Sequence, residues 1–374
     1  MPKIRTILLL ILVAGLLWFV YADDYKQDGA SGVWDEMKQD VHDIRNSESV
    51  DTLITYIGHS IEYVAGFISD QFEGAEESPS VPSPELAEPT EQSFSIHNIE
   101  VTDEKKDVES VLGEPARVTP NEYHTEWHTY HDHYQNFVMV AFNNNDQVTG
   151  LYTNQDLLRS KGGITLDNTK QEVRKAYGEP IQSIQKGLTR YQINNNQEQD
   201  TFKLDGNYIT FFYDEHRNEQ IAAIQIISEE MEKQKEAFFA EPSDQLRQGL
   251  EYQLFDLTNA ARAKFEQPIL DWHDPAQSTA LNHSQDMAEQ NYFSHTNPEG
   301  ESPFDRLEAD GVQFRMAGEN LAAGQPSSIY AHQGLMNSKG HRKNILHDDF
   351  RLMAVGVALQ DDGQPFYTET YLTQ

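Results

Sequence analysis

The sequence contains no cysteine. Disulfide frameworks, thiol nucleophiles and thiolate metal sites are therefore excluded, and each folded part must be stabilised by its core. Basic side chains are also scarce, because 28 Lys and Arg stand against 61 Asp and Glu, for a formal net charge of −33. Such a charge repels a phosphate backbone and leaves no basic stripe. We therefore expect no nucleic-acid partner.

Several familiar catalytic signatures are missing as well. The sequence has no Gly-x-Ser-x-Gly elbow, no His-Glu-x-x-His helix and no phosphate-binding Gly-Lys-Ser/Thr loop. The acidic pairs at 348–349 and 361–362 lack the spaced ligands of a calcium loop and are more typical of turns. The familiar hydrolase classes defined by these signatures lose support.

The longest apolar run lies at the N-terminus. Lys3 and Arg5 precede an uncharged stretch from 6 to 22, which is the pattern of a signal peptide or a signal anchor. Val20-Tyr21-Ala22 is similar to a cleavage site, whereas the bulky aromatic residues of the run suit a membrane interface. We favour an uncleaved anchor in the cell membrane. With either outcome, residues after about 23 are expected outside the cytoplasm.

The rest of the chain divides by composition. Residues 22–100 hold 18 acidic and 3 basic side chains, and apolar residues at helical spacing between Val50 and Ile68 predict one amphipathic helix. A Pro/Glu/Ser-rich stretch follows, which cannot bury enough apolar area to fold. The predicted parts are 1–22 (anchor or signal peptide), 23–72 (acidic juxtamembrane segment), 73–93 (disordered linker), 94–240 (duplicated domain) and 244–374 (C-terminal domain).

The middle region contains an internal repeat. Residues 99–115 and 164–180 match at an offset of 65, and both copies end in Gly-Glu-Pro, at Gly113 and Gly178. Each copy predicts a helix ended by a left-handed glycine cap and followed by an antiparallel hairpin. The hairpin strands are predicted at 137–142, 148–152, 208–213 and 221–227. Since the repeat carries no catalytic pattern, we expect a scaffold or a partner-binding surface.

A histidine cluster lies inside the first copy. Its members are His124, His128, His131 and His133, and three aromatic residues lie beside them. On a strand, His131 and His133 would share a face and could hold a metal. Because no carboxylate completes such a site, we favour an aromatic-rich strand pair with solvated histidines.

The C-terminal domain begins with an amphipathic pattern near Leu246. A second helix is predicted from Pro275 to about Gln290, with Asp274 as its N-cap and with Ala280, His283 and Met287 facing inward. A third helix is predicted near 327–337, and late strands at 353–359 and 366–371.

Five motifs in this domain are recognisable by their residues and their order. They are Asn259 and Arg262, His283-Ser284-Gln285-Asp286-Met287, Tyr292-Phe293-Ser294-His295, Gly318-Glu319-Asn320-Leu321, and Ser338-Lys339-Gly340-His341-Arg342-Lys343-Asn344-Ile345-Leu346. These motifs resemble the bacterial branch of the CAP superfamily (SCP/PR-1-like) over about 247–374. The repeat and the N-terminal segment resemble the CAP-associated N-terminal domain of exported bacilli-type proteins. The resemblance implies an α+β protein whose C-terminal part is an α-β-α sandwich with a cleft.

In that family the cleft carries two histidines and two carboxylates. By motif, the resemblance assigns His295, Glu319 and His341 to it. The fourth position departs from the family pattern, because Ser338 stands where many eukaryotic members have a second glutamate and Leu335 stands at a commonly aromatic position. A mechanism that needs two carboxylates is therefore in doubt.

The same three residues suggest two kinds of chemistry. Two neutral imidazoles, His295 and His341, could bind a Zn²⁺ ion and leave positions open for water, which would support a metal-assisted hydrolase. Without a metal, Glu319 could set the tautomer of one histidine and leave its other nitrogen as a general base. A third interpretation is a satisfied polar network that fixes the sandwich.

The sequence therefore supports two functions. We expect an exported envelope protein whose cleft binds a wall, lipid or protein ligand. The alternative is a hydrolase that acts on an envelope peptide or ester through the same residues. Because one fold can serve many functions, the resemblance alone does not decide between them.

Overall fold

The computed structural model describes residues 81–186, 189–193 and 198–374. The anchor or signal peptide predicted for 1–22 and the amphipathic helix predicted within 23–72 lie outside these residues. Among the described residues, no helix has both the length and the apolar character needed to span a membrane. Residues 81–93 carry no helix or strand, and the N–H groups of Thr90, Glu91 and Gln92 donate to the carboxylate of Glu100.

A seven-stranded antiparallel sheet forms the middle of the chain. In chain order the strands of this region are β1 (Phe94–Ile96), β2 (Arg117–Pro120), β3 (Glu126–Asp132), β4 (Gln135–Phe142), β5 (Val148–Thr153), β6 (Leu158–Ser160), β7 (Ser183–Lys186), β8 (Thr189–Gln192), β9 (Gln199–Leu204), β10 (Asn207–Asp214) and β11 (Gln220–Ser228). The sheet order is β2-β3-β4-β5-β11-β10-β9, and β1-β6 and β7-β8 form separate pairs. In the described part of this region the helices are α1 (Lys105–Leu112), α2 (Lys170–Tyr177) and α3 (Glu229–Gln234), with a short 3₁₀ helix at Glu215–Arg217.

The two matching sequence segments carry α1 and α2, and the strands that follow each of them form the two halves of this sheet. Both predicted helices are present, and the four predicted hairpin strands are confirmed as β4, β5, β10 and β11. The halves meet where β5 pairs with β11. Both helices end at the predicted glycines, but the predicted left-handed conformation is wrong. Gly113 (φ 77°, ψ −153°) and Gly178 (φ 82°, ψ −150°) combine a positive φ with an extended ψ. Glycine is still required there, since other residues rarely adopt that region.

The faces of the sheet bury two different cores. On β4, the alternate residues Val138 and Val140 pack towards α1 and α2. Phe137, Met139 and Ala141 point to the opposite face, as the two-residue period of a strand requires. That second face packs against Leu257, Ala260 and Ile329 of the C-terminal domain. One face of the duplicated region is therefore covered by the rest of the same chain.

The C-terminal domain contains a four-stranded mixed sheet of order β12-β14-β15-β13. Its elements are α4 (Asp244–Lys264), β12 (Asp271–Trp272), α5 (Asp274–Gln290), α6 (Pro303–Ala309), β13 (Met316–Ala323), α7 (Ser328–Asn337), α8 (Lys339–Ile345), β14 (Leu352–Leu359) and β15 (Pro365–Thr373). The third helix and the two late strands predicted from sequence are confirmed as α7, β14 and β15.

Alternation along β14 shows that this domain has three layers. Met353, Val355 and Val357 share a core with residues of α4, α7 and α8. Ala354 and Ala358 pack on the other side, in clusters that include residues of α5 and α6. The domain is therefore the mixed α-β-α sandwich that the resemblance implied.

The start of α5 differs from the prediction. His273, not Asp274, is the N-cap, and its Nδ1 accepts the N–H of Ala276 at 3.3 Å. Asp274 instead accepts the indole N–H of Trp272 at 2.9 Å, so its carboxylate is turned away from the helix. The inward-facing residues Ala280, His283 and Met287 are buried as predicted.

Candidate functional site

Three elements of the C-terminal domain carry the residues that the sequence assigned to the cleft. His295 lies in the loop between α5 and α6, Glu319 lies on β13, and His341 lies on α8. The loop is attached to α5 because Nε2 of the buried His283 donates to the carbonyl oxygen of Ser294 at 3.0 Å. The residue next to Ser294 is His295, so this bond helps to place its ring.

The carboxylate of Glu319 is held from both sides. Its Oε1 lies 2.8 Å from Nδ1 of His295, and its Oε2 accepts from Nη2 of Arg306 at 2.7 Å. The Arg306 guanidinium also donates to the backbone carbonyl of His295 at 2.8 Å. The side chains of Arg306 and Glu319 are only 9% and 5% exposed, and a buried charge-assisted bond of this kind is strong.

His295 presents its other ring nitrogen to solvent. Because a carboxylate accepts at Nδ1, that nitrogen carries the proton and Nε2 is left as an acceptor. The His295 side chain is half exposed. The arrangement therefore offers an oriented imidazole whose Nε2 lone pair can accept a hydrogen bond, take a proton or bind a metal.

His341 is linked to the same site through two asparagines. Nδ2 of Asn320 donates to the His341 carbonyl oxygen at 3.2 Å. Nδ2 of Asn344 donates to the carbonyl oxygen of Glu319 at 3.3 Å and to Oδ1 of Asn320 at 2.9 Å. These bonds hold the helix α8 against β13, so His341 and Glu319 keep a fixed relation.

The two cleft histidines are close enough to interact electrostatically. Burial lowers the pKa of His341, and the neighbouring His295 lowers it further. Nδ1 of His341 is buried and has no hydrogen-bond partner among the described residues. The His341 ring is therefore neutral at pH 7. The structure brings His295, Glu319 and His341 together, as the motif order indicated.

His295, Glu319 and His341 offer only part of a metal-binding site. In the described part of the chain, three potential metal ligands have their ligand atoms within 4.8 Å of one another, and they are His347, Asp348 and Asp349. This group does not include the cleft residues. Both oxygens of Glu319 already have partners. The two imidazoles could still contribute nitrogen ligands, so zinc at His295 and His341 stays a prediction.

The two positions where this chain departs from the family pattern have structural roles. Ser338 is the junction residue between α7 and α8, and Leu335 is buried in the apolar core of the domain. Among the described residues, the carboxylate that contacts His295 is therefore Glu319 alone.

A second buried carboxylate lies behind the cleft, and the sequence analysis missed it. Glu369 on β15 is fully buried, and it accepts from Thr258, Asn320 and Tyr371 at 3.2, 2.9 and 2.6 Å. Burial raises its pKa to about 7. A glutamate between two threonines on an otherwise apolar strand was the available signal. Arg306 was also missed, because it lies outside the matching motifs.

The histidine cluster of the middle domain does not form a site. The strand β3 ends at Asp132, and His133 lies in a turn at φ 46°, so His131 and His133 do not share a strand face. The favoured interpretation of solvated histidines is wrong for His128, which is buried. His131 stacks on Tyr134 with ring centroids 4.0 Å apart. Burial lowers the pKa of His131 to about 4. The extra residues of a tight hairpin end the alternation on which that expectation depended.

The C-terminal domain combines a three-layer fold with two histidines and a glutamate at one site. These features define its class of protein. Comparison with known families supports that class. Residues 255–374 match the family described as Cysteine-rich secretory protein family, or CAP. Residues 101–238 match the family described as CAP-associated N-terminal. The chain thus carries a CAP domain at its C-terminus, preceded by a CAP-associated N-terminal domain.

Two curated relatives come from Bacillus subtilis (strain 168). The "Uncharacterized membrane protein YlbC" is 27% identical over 283 residues, which are 71% of this chain and 80% of that protein. The "Uncharacterized protein YkwD" is 41% identical over 106 residues, which are 28% of this chain and 41% of that protein.

Two solved structures share the fold. One is an extracellular protein containing a SCP domain from Bacillus anthracis str. Ames, at 25% identity and a TM-score of 0.65, with 79% of this chain and 100% of that chain covered. The other is a cysteine-rich secretory protein from Staphylococcus aureus, at 15% identity and a TM-score of 0.60, with 77% and 95% covered.

Proposed function

We propose that this chain is an envelope protein that works outside the cytoplasm and binds a ligand in its CAP cleft. Two names support the location, since one relative is named a membrane protein and one structural neighbour is named extracellular. The N-terminal run after Lys3 and Arg5 supports it independently. The ligand is a wall, lipid or protein component that reaches the groove from outside.

The observation that carries the proposal is the fixed orientation of His295. Glu319 holds Nδ1 of His295 at 2.8 Å while Arg306 occupies the other carboxylate oxygen. Nε2 is therefore preset as an acceptor at an exposed position, beside the neutral ring of His341. An acceptor held in this way favours a ligand that donates a hydrogen bond, such as a hydroxyl or an amide N–H.

The same geometry supports one alternative function. A histidine whose Nδ1–H is held by a carboxylate is the arrangement of a general base, with Nε2 taking the proton from water or a hydroxyl. In that function His295 would move the proton, Glu319 would stabilise the imidazolium and His341 would position the substrate. The reaction would be hydrolysis of an envelope peptide or ester.

One experiment separates these functions. The double variant His295→Ala/His341→Ala is compared with wild type for binding to envelope extracts and for release of hydrolysis products. A matched control is His124→Ala/His133→Ala, which removes two exposed histidines of the middle domain. The proposal predicts that binding is lost only in the cleft variant and that no turnover is seen in wild type.

Other outcomes count against the proposal. Turnover by wild type that disappears in the cleft variant, with binding retained, would establish the hydrolase. Unchanged binding by a folded cleft variant would remove the site from the function altogether. Metal analysis of both proteins tests the zinc prediction separately, because a bound stoichiometric metal should be lost with His295 and His341.

A further inference from the structure

A cavity lies between the two domains, away from the site of His295 and Glu319. Its volume is about 490 Å³, and none of His295, Arg306, Glu319 or His341 lines it. One wall comes from the hairpin β7-β8 and the segment after α3, and the other comes from residues 324–334 at the start of α7. A cavity of this size at a domain boundary is typical of small-ligand sites.

Lys235 gives this cavity its chemical character. The residue is only 8% exposed, yet it lines the cavity, and its ammonium group makes no hydrogen bond or ion pair with any described residue. The ammonium group makes a cation–π contact with the ring of Tyr123, whose centroid lies 4.9 Å from Nζ. An ammonium group at a cavity wall without a bonded partner is available to form a charge-assisted hydrogen bond with an anion.

The neighbouring charges do not satisfy Lys235. The carboxylate of Glu232 is paired with Lys186 at 2.7 Å, and Lys186 also donates to the carbonyl oxygen of Lys235 at 2.6 Å. Glu122 interacts with Lys235 only at longer range, and burial raises the pKa of Glu122 to about 7. Glu198 also lines the cavity and has an interaction of its own.

The remaining walls are suited to a peptide. Three tyrosines and one half-exposed phenylalanine supply flat apolar surface, and three glutamines supply paired donors and acceptors. They are Tyr123, Tyr191, Tyr330, Phe238, Gln192, Gln199 and Gln325. The amide oxygen of Gln325 is buried and has no hydrogen-bond partner among the described residues, so it offers an acceptor to a peptide N–H.

We infer that this interdomain cavity binds a short peptide with a free carboxylate, which pairs with the ammonium group of Lys235. The aromatic residues hold the peptide side chains, and Gln325 accepts from its backbone. This site goes beyond the proposed cleft function and needs residues of both domains. It gives the CAP-associated domain a direct part in recognition.

The inference is tested with N-acetyl-trialanine, which has a free carboxylate, and with its C-terminal amide. Binding of each probe to the full-length chain is measured by isothermal titration calorimetry. Since a hydrogen bond to a charged group contributes about 1.5–3 kcal/mol, the acid should bind at least about tenfold more tightly than the amide. Lys235→Met should abolish that preference.

Controls make each result decisive. Lys233→Met removes an exposed lysine two residues away and should leave binding unchanged. Lys235→Arg should retain most of the acid preference, and the His295→Ala/His341→Ala variant should bind the probe like wild type. Equal binding of acid and amide, no binding of either, or a preference that survives Lys235→Met would overturn the inference. If Lys235→Met does not fold, the acid-to-amide comparison on wild type and Lys235→Arg decides it.

Discussion

Arg342 and Asp214 form a two-bond ion pair across the boundary between the domains. The guanidinium donates to Oδ1 and Oδ2 of Asp214 at 3.2 and 2.9 Å, and it also lies over the ring of Phe265. Arg342 directly follows the cleft residue His341 on α8. The CAP-associated domain therefore fixes the helix that carries one of the two cleft histidines.

Replacing Asp214 by alanine should destabilise the protein by about 3 kcal/mol, because removal of one partner leaves a poorly exposed charge behind. The side chains of Arg342 and Asp214 are 14% and 6% exposed. Urea unfolding of Asp214→Ala measures the loss. The exposed pair of Glu104 and Lys106 provides the control, since Glu104→Ala should give no resolvable change. A similarly small effect of Asp214→Ala would show that the domains are held without this pair.

Glu369 should make stability fall as the pH rises. Burial raises its pKa from 4.5 to about 7, so between these values the folded state binds more protons than the unfolded state. Stability from this group is then present below about pH 4.5 and is lost as the pH rises through 7. Glu369→Gln keeps an acceptor for Asn320 and Tyr371 but cannot ionise.

The test is the difference in unfolding free energy between wild type and Glu369→Gln at pH 5 and pH 8. Wild type should lose about 2 kcal/mol relative to the variant over this interval. Glu241→Gln, at an exposed position, should show no such trend. A constant difference across the interval would mean that Glu369 does not titrate there.

Gly356 should tolerate no side chain. A Cβ at this position would lie 2.1 Å from the backbone nitrogen of Leu281, and Ser284 of the same helix donates to the Gly356 carbonyl oxygen at 2.9 Å. Because the obstacle is backbone, Gly356→Ala should destabilise the sandwich by about 3 kcal/mol. At Gly340, where a Cβ meets no atom within 4 Å, alanine should be neutral or stabilising by up to about 1 kcal/mol. Thermal unfolding of both variants checks the contrast.

Local patterns in the sequence predicted much of the fold. The hairpin strands of the middle domain and the late strands of the CAP domain follow the two-residue alternation, which depends only on neighbouring residues. The cleft residues His295, Glu319 and His341 were found through motif order, and their proximity could not have been derived from periodicity.

Other features depend on contacts between distant parts of the chain and could not be predicted. Arg306 reaches Glu319 only because α6 packs beside β13, and Glu369 reaches Asn320 only across the sheet. The N-cap at His273 depends on Trp272 engaging the carboxylate of Asp274. The sequence likewise gave no sign that α4 and α7 would cover one face of the middle sheet.

NMR of the histidine rings tests most directly whether the ligand binds at the cleft. The full chain, labelled with ¹³C and ¹⁵N at histidine, is titrated with the solubilised envelope fraction that it binds, and the ring signals are recorded by NMR. The account predicts that the signals of His295 and His341 shift together while those of the exposed His124 and His133 stay in place. Binding that leaves both cleft rings unchanged would contradict it.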